Sequence, residues 1–233
     1  MRLKLKRWLE LARDPVSDPA LSRYLRDYPA LSLPHPGPAR NLSAEQADAN
    51  FHYLLDVRFE RLDLLRGLLR QTDASIIWPD RFSRDNIDPF IISLHHWVGK
   101  QWPALKARIK GDVMSRWRAG ERSGECIGLS MVADVGLVLG ELILTLRPSL
   151  RWGIDRDAIN IRDGMDTINR MVLLGTWRSD PDKQIEIDIE AMVLDRFLHP
   201  DDINERLENS WLRLIHAAIE GRHEGVGVID DLV

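Results

Sequence analysis

Asp134 and Glu141 lie seven residues apart in an otherwise apolar run, 126–146, a spacing that places both carboxyls near one face of a helix. Buried there without a cation, each would have a raised pKa, the condition for general acid and base work. The structural account is the stronger one, because ion-pair networks and a single wet helix edge produce the same pattern. A second constellation is His216, Glu220 and His223, at i, i+4 and i+7, two imidazoles and a carboxylate of the type that ligates zinc or iron. Gly221 can end the helix before His223, no HExxH occurs, and Glu220-x-x-His223 is the only ExxH where a di-iron site needs two. No metal and no cofactor are therefore expected. His95 and His96 are adjacent and point about 100° apart on a helix, so one should pack and the other face solvent. Cys126, the single cysteine, excludes an internal disulfide and sits in no known nucleophile context; a small buried hydrophobe is its expected role.

Charge is distributed unevenly. Residues 180–233 hold 14 Asp or Glu against 5 Lys or Arg, a net of −9, while residues 1–179 carry +5, together the −4 of the chain. If 181–198 is a helix, Asp182, Glu186 and Glu190 form one negative strip opposite Ile185, Ile189 and Met192, and Asp201, Asp202 and Glu205 begin the next helix. Such a face suits a basic protein partner; a plain solvated face with acids at helix N-termini is the alternative. Seven cations between 100 and 122, with Trp102 and Trp117 among them, invite a nucleic-acid reading. The sequence pI near 6.0 argues against it, and Trp117 completes an apolar stripe. GxGxxG, GxxxxGK[ST] and GxSxG are all absent.

These residues must be positioned by helices for the most part. Ser43-Ala-Glu-Gln46 reads as a capping box that opens a long helix with Phe51, Leu55, Phe59, Leu62, Leu65 and Leu69 as its stripe. A helix begins near Asp88-Pro89, Pro103 restarts it, and Leu105, Ile109, Val113 and Trp117 form the next stripe. The apolar run 126–146 is long enough to span a bilayer, but each acid near its centre would cost about 2.5 to 3.5 kcal/mol there, which favours a buried core helix. Within it Gly136 and Gly140 share a face where another backbone can approach closely. Residues 150–154 and the alternating 158–162 read as a hairpin, followed by helices at 164–176, 181–198 and 201–221.

The N-terminal residues 1–28 read as a basic, amphipathic helical arm whose Leu5, Trp8, Leu9 and Ala12 dock on the body, and the four prolines within 29–40 mark a stiff linker. Charges interrupt what would have to be the apolar core of a signal peptide, which makes the cytoplasm the expected compartment. With 233 residues, 44% hydrophobic and 29% charged, the chain fits a single globular domain. The expected class is mainly α with one small hairpin or short sheet near 150–162, α+β being the neighbouring label.

The run Asp134-Val-Gly-Leu-Val-Leu-Gly-Glu141, followed by Leu150-Arg-Trp152, resembles a helix-then-Trp-strand pattern in bacterial proteins of uncharacterised type, some of which resemble immunity proteins of polymorphic toxin systems. The resemblance covers about 20 residues and implies a small cytoplasmic protein that binds another protein, a toxin in that setting. It carries over no site residue. The expected function is thus an immunity or inhibitor protein using Asp182, Glu186, Glu190, Asp201, Asp202 and Glu205 against a basic partner, with neither nucleic acid nor membrane as its target. An enzyme with a carboxylate or histidine site is the alternative.

Overall fold

The computed structural model describes residues 19–73, 75–178, 181–199 and 209–222. The expectations for Trp8 and its neighbours, for Asp201, Asp202 and Glu205, and for His223 fall outside these residues. The architecture is mainly α with a small antiparallel sheet. In chain order the helices and strands are α1 (Pro19–Tyr24), α2 (Ala44–Thr72), α3 (Ile87–Lys106), α4 (Val113–Arg118), α5 (Ile127–Leu146), β1 (Arg151–Ile154), α6 (Ala158–Asp163), β2 (Met171–Thr176), β3 (Gln184–Ile187), α7 (Ile189–Leu198) and α8 (Ser210–Glu220).

The centre of the core is α5. From Gly128 to Gly140 every residue is buried, so polar water-facing positions are missing along three turns and the helix must be wrapped on all sides. It packs against α2, α3, α7 and α8. It is also the one helix among the described residues with the length and apolarity to cross a membrane, and most of it lies inside the fold. The close approaches expected at its glycines are present. A Cβ on Gly136 would stand 3.2 Å from Glu190 Cα, and one on Gly140 only 2.2 Å from the Trp152 ring, so α7 and β1 reach α5 where side chains are missing. Trp97, Trp102 and Trp211 fill the other side, with His95 edge-on to Trp211 at 5.2 Å while His96 is exposed.

The Ser43–Gln46 capping box is complete in both directions at the start of α2. Its C-terminal half buries Arg61, Leu65, Leu68 and Leu69, but the expected stripe does not extend back to Phe59, which stays 57% exposed beside Arg58. Pro103 does not restart α3. The helix runs through it, and Leu105, Ile109, Val113 and Trp117 are all buried, from α3, the turn after it and α4. Residues 29–38 cross the body without helix or strand, bending at 34, 35 and 37, and Ser130 Oγ accepts from Leu31 N at 2.9 Å while Asn50 bonds both the N–H and the C=O of His35.

The sheet departs from expectation in three places. Its order is β1-β2-β3, with Trp152 opposite Leu173 and Leu173 opposite Ile187. Residues 158–162, expected as a strand, form α6. Asp157 caps it by accepting from Ile159 N and Asn160 N, and Gly164 ends it at φ 71°, so local capping overrides the alternating pattern and leaves Ile159 and Ile161 exposed. The expected helix at 164–176 gives way to β2, since Asn169 sits at φ 61° and turns the chain back to pair with β1. The expected helix at 181–198 begins only at Ile189. Before it, Gln184-Ile-Glu-Ile187 is β3, and Asp188 ends the strand by capping α7 through Ala191 N.

Candidate functional site

Asp134 is fully buried, and three donors meet it. Arg61 binds both oxygens, Nε to Oδ1 at 2.7 Å and Nη2 to Oδ2 at 2.6 Å, and the Tyr28 hydroxyl donates to Oδ2 at 2.5 Å. Burial pushes the carboxyl above its usual range, against the pull of Arg61 and Tyr28. Burial beside that carboxylate also drives the Tyr28 phenol upward, which keeps it a donor. Arg61 Nη1 reaches on to Pro29 O at 2.7 Å, so the triad fastens the start of the 29–38 segment to α5. Glu141 belongs to a different cluster. It accepts from Trp152 Nε1 at 2.8 Å and pairs with Arg58 at 3.4 Å on a partly exposed edge. The two carboxylates therefore serve separate ion pairs, the structural alternative anticipated from the sequence.

A second charged cluster lies where α4, α5, β2 and α7 meet. Glu190 Oε1 accepts from Arg122 Nη2 at 2.6 Å and Trp117 Nε1 at 2.7 Å, and Oε2 from Arg170 Nη2 at 3.2 Å. Arg170 also grips Asp188 and lies 4.0 Å over the Trp117 ring. Burial alone would raise Glu190, but Arg122 and Arg170 hold it below the usual carboxylate range. The cluster lines a cavity of about 80 Å³ together with Leu31, Leu33, Phe51 and Leu137. That is well short of the roughly 300 Å³ at which ordinary small-molecule pockets begin.

The expected negative strip is not assembled on a helix. Asp182 lies exposed in the β2–β3 turn, Glu186 on β3, and Glu190 in the first turn of α7 with its carboxylate turned inward to two arginines. Glu186 instead joins Asp155 and Asp157. Asn160 Nδ2 donates to Glu186 Oε2 at 2.8 Å and to Asp155 Oδ2 at 3.0 Å, while Asp155 Oδ1 accepts from Asp157 N at 3.0 Å. The surrounding cations are engaged elsewhere, Arg156 with Asp48, Arg162 with Asp163 and Arg170 with Asp188. Burial first, then the negative charges of Asp155 and Asp157, push Glu186 up to about 7. Directly beside this acidic group, α6 and the turn after it expose Ile159 (59%), Ile161 (54%) and Met165 (37%). Compared with known proteins, the chain matches no family model, no curated protein and no solved structure.

The remaining candidates are each engaged. His216 Nε2 lies 2.8 Å from Asp88, Glu220 pairs with Arg222, and among the described residues no group of three or more His, Cys, Asp or Glu side chains could hold a metal ion. Cys126 is fully buried with Arg116 Nη1 at 3.2 Å from Sγ, and burial pushes the thiol up. Four of the seven cations of 100–122 are spread over separate pairs, Lys110 with Glu125, Arg116 with Glu121, Arg118 with Asp166 and Arg122 with Glu190, and Lys106 donates to Leu198 O. Sequence reasoning missed Asp155, Asp157 and the α6 side chains. The signal for β3 was present in the strict alternation Gln184-Ile-Glu-Ile-Asp-Ile-Glu190, which puts Glu186 on a sheet rather than a helix face.

Proposed function

We propose that this chain is a cytoplasmic protein-binding protein of the immunity or inhibitor type, and that it meets a basic partner, a toxin in that setting, through α6 and the acidic residues beside it. The observation that carries this reading is the juxtaposition of Ile159 and Ile161, exposed on α6, and Met165, exposed in the turn after it, with Asp157 and Glu186, which have no ion-pair partner among the described residues. Large aliphatic side chains leave water when a partner covers them, and such anchors carry most of the affinity of an interface. An uncompensated negative rim would speed the approach of a basic surface and reject an acidic one. The exposed Asp182 extends the negative edge along β3. Glu190 drops out of the binding set, because its carboxylate neutralises Arg122 and Arg170. The engagement of Asp134, Glu141 and His216 in internal pairs supports binding over the enzymatic alternative.

The test is quantitative capture of a protein from the native host, followed by titration with the purified partner. Ile159→Ser with Ile161→Ser should weaken binding at least about 30-fold, the scale for losing a central anchor. Asp182→Lys with Glu186→Lys should slow association and flatten its salt dependence. Equal affinity for the wild type and both double variants would overturn the reading.

A further inference from the structure

The sheet order β1-β2-β3 leaves two outer strands. β1 lies against α2, whereas β3 is paired on one side only among the described residues. Trp177 N donates to Lys183 O, and the register sets Ile185 opposite Gly175 and Ile187 opposite Leu173. In the alternating antiparallel pattern residues 183, 185 and 187 therefore bond toward β2, while the N–H and C=O of Gln184 and Glu186 point away from it. Among the described residues nothing bonds to those outward groups. The two faces of β3 differ as well. Ile185 is buried on the core face and Ile187 half-buried beside it, while Gln184 is exposed and Glu186 half-buried on the other. Glu186 and Asp157 have no ion-pair partner among the described residues, and Asp182 lies exposed in the turn that leads into the strand.

We propose that β3 is a docking edge for an extended segment of the partner, alternately basic and aliphatic, which joins the sheet as a fourth strand. An unpaired edge offers main-chain bonds to any extended chain, and the side chains along it decide which chain is accepted. A second copy of β3 is disfavoured, because two-fold pairing would set two negative edges side by side. A segment with Lys or Arg at every second position places cations beside Glu186, where Asp157 and the buried Asp155 add to the attraction. The residues between them fall on the opposite face, where aliphatic side chains extend the row of Ile185 and Ile187. This edge adjoins the exposed Ile159 and Ile161, since Asn160 of α6 bonds the Glu186 carboxyl at 2.8 Å. The assignment rests on the proposed basic partner and states in what conformation that partner is held.

The probe is a blocked peptide of Lys-Val repeats, with Glu-Val repeats and a fully N-methylated Lys-Val peptide as controls. In the free chain the amides of Gln184 and Glu186 should exchange near their intrinsic rates, while those of Ile185 and Ile187 are protected by β2. The Lys-Val peptide at about 1 mM and low salt should slow exchange at Gln184 and Glu186 at least about tenfold, and neither control should. Gln184→Pro removes an N–H that the ladder does not use, at the first residue of an edge strand where proline is tolerated. It should leave the thermal midpoint within about 3 °C and weaken the peptide at least about tenfold, while Gln184→Ala binds as the wild type does. Three results overturn the docking edge: no slowing by the Lys-Val peptide, equal binding of the N-methylated peptide, or protection of the Gln184 and Glu186 amides in the free chain. Partner capture separates the two ideas. Capture lost on Ile159→Ser with Ile161→Ser but kept on Gln184→Pro leaves the α6 surface standing without strand addition. Capture lost only on Gln184→Pro removes the α6 surface and keeps the edge.

Discussion

Replacing Arg61 by Leu isolates the energetics of the triad. The guanidinium is 4% exposed and makes three bonds, two to Asp134 and one to Pro29 O, so its removal leaves a carboxylate with no solvent contact and only the Tyr28 hydroxyl as donor. Breaking a buried pair from one side costs about 3 to 5 kcal/mol, because the remaining charge stays desolvated. Against a typical stability of about 5 to 15 kcal/mol the variant should fold at reduced midpoint. The penalty must also depend on pH. Without Arg61 the folded-state pKa of Asp134 rises further above its unfolded value, so the loss is full at high pH and shrinks as pH falls and the carboxyl takes up a proton, by up to about 1.4 kcal/mol per pH unit. Urea unfolding followed by the fluorescence of the eight tryptophans, at pH 8 and pH 5, measures both quantities. Adding Asp134→Asn to Arg61→Leu should restore about 2 kcal/mol at pH 8, since an amide costs less to bury unpaired than a carboxylate. A loss below about 1 kcal/mol at pH 8, or the same loss at pH 5 and pH 8, would refute the reasoning.

Gly140→Ala should destabilise by about 1 to 3 kcal/mol despite the better helix propensity of Ala, because the new Cβ meets the Trp152 ring at 2.2 Å and forces it off Glu141; near-UV circular dichroism should change with the urea midpoint, and an unchanged midpoint would refute the contact. Cys126 should react with a thiol reagent at least about 100-fold more slowly in the folded than in the urea-unfolded chain, since the buried thiol must await opening, and complete labelling of the folded chain within the mixing time would contradict its position.

Much of the helical frame was legible because its signals are local. The capping box at Ser43 needs only Gln46 three residues on, and the approach of other elements to Gly136 and Gly140 follows from two missing side chains on one helix face. The packing of one histidine of the 95–96 pair follows from their 100° separation, whereas burial of Asp134 and partial exposure of Glu141, both set in the same apolar run, were left open by the sequence. Class and core were therefore set by periodicity and capping, both properties of short stretches of chain.

What the tertiary structure alone decided is which charges meet. Arg61 and Asp134 are 73 residues apart, Arg122 and Glu190 are 68 apart, and no spacing rule joins them. Alternation at 158–162 and at 184–190 looks alike locally, but only the second segment finds a partner strand, in β2; the first is capped by Asp157 and becomes α6, with its isoleucines outside. A strand needs a hydrogen-bonding neighbour while a helix satisfies its own backbone, so which segment pairs, and with it the grouping of Asp155, Asp157 and Glu186, is settled only in the fold.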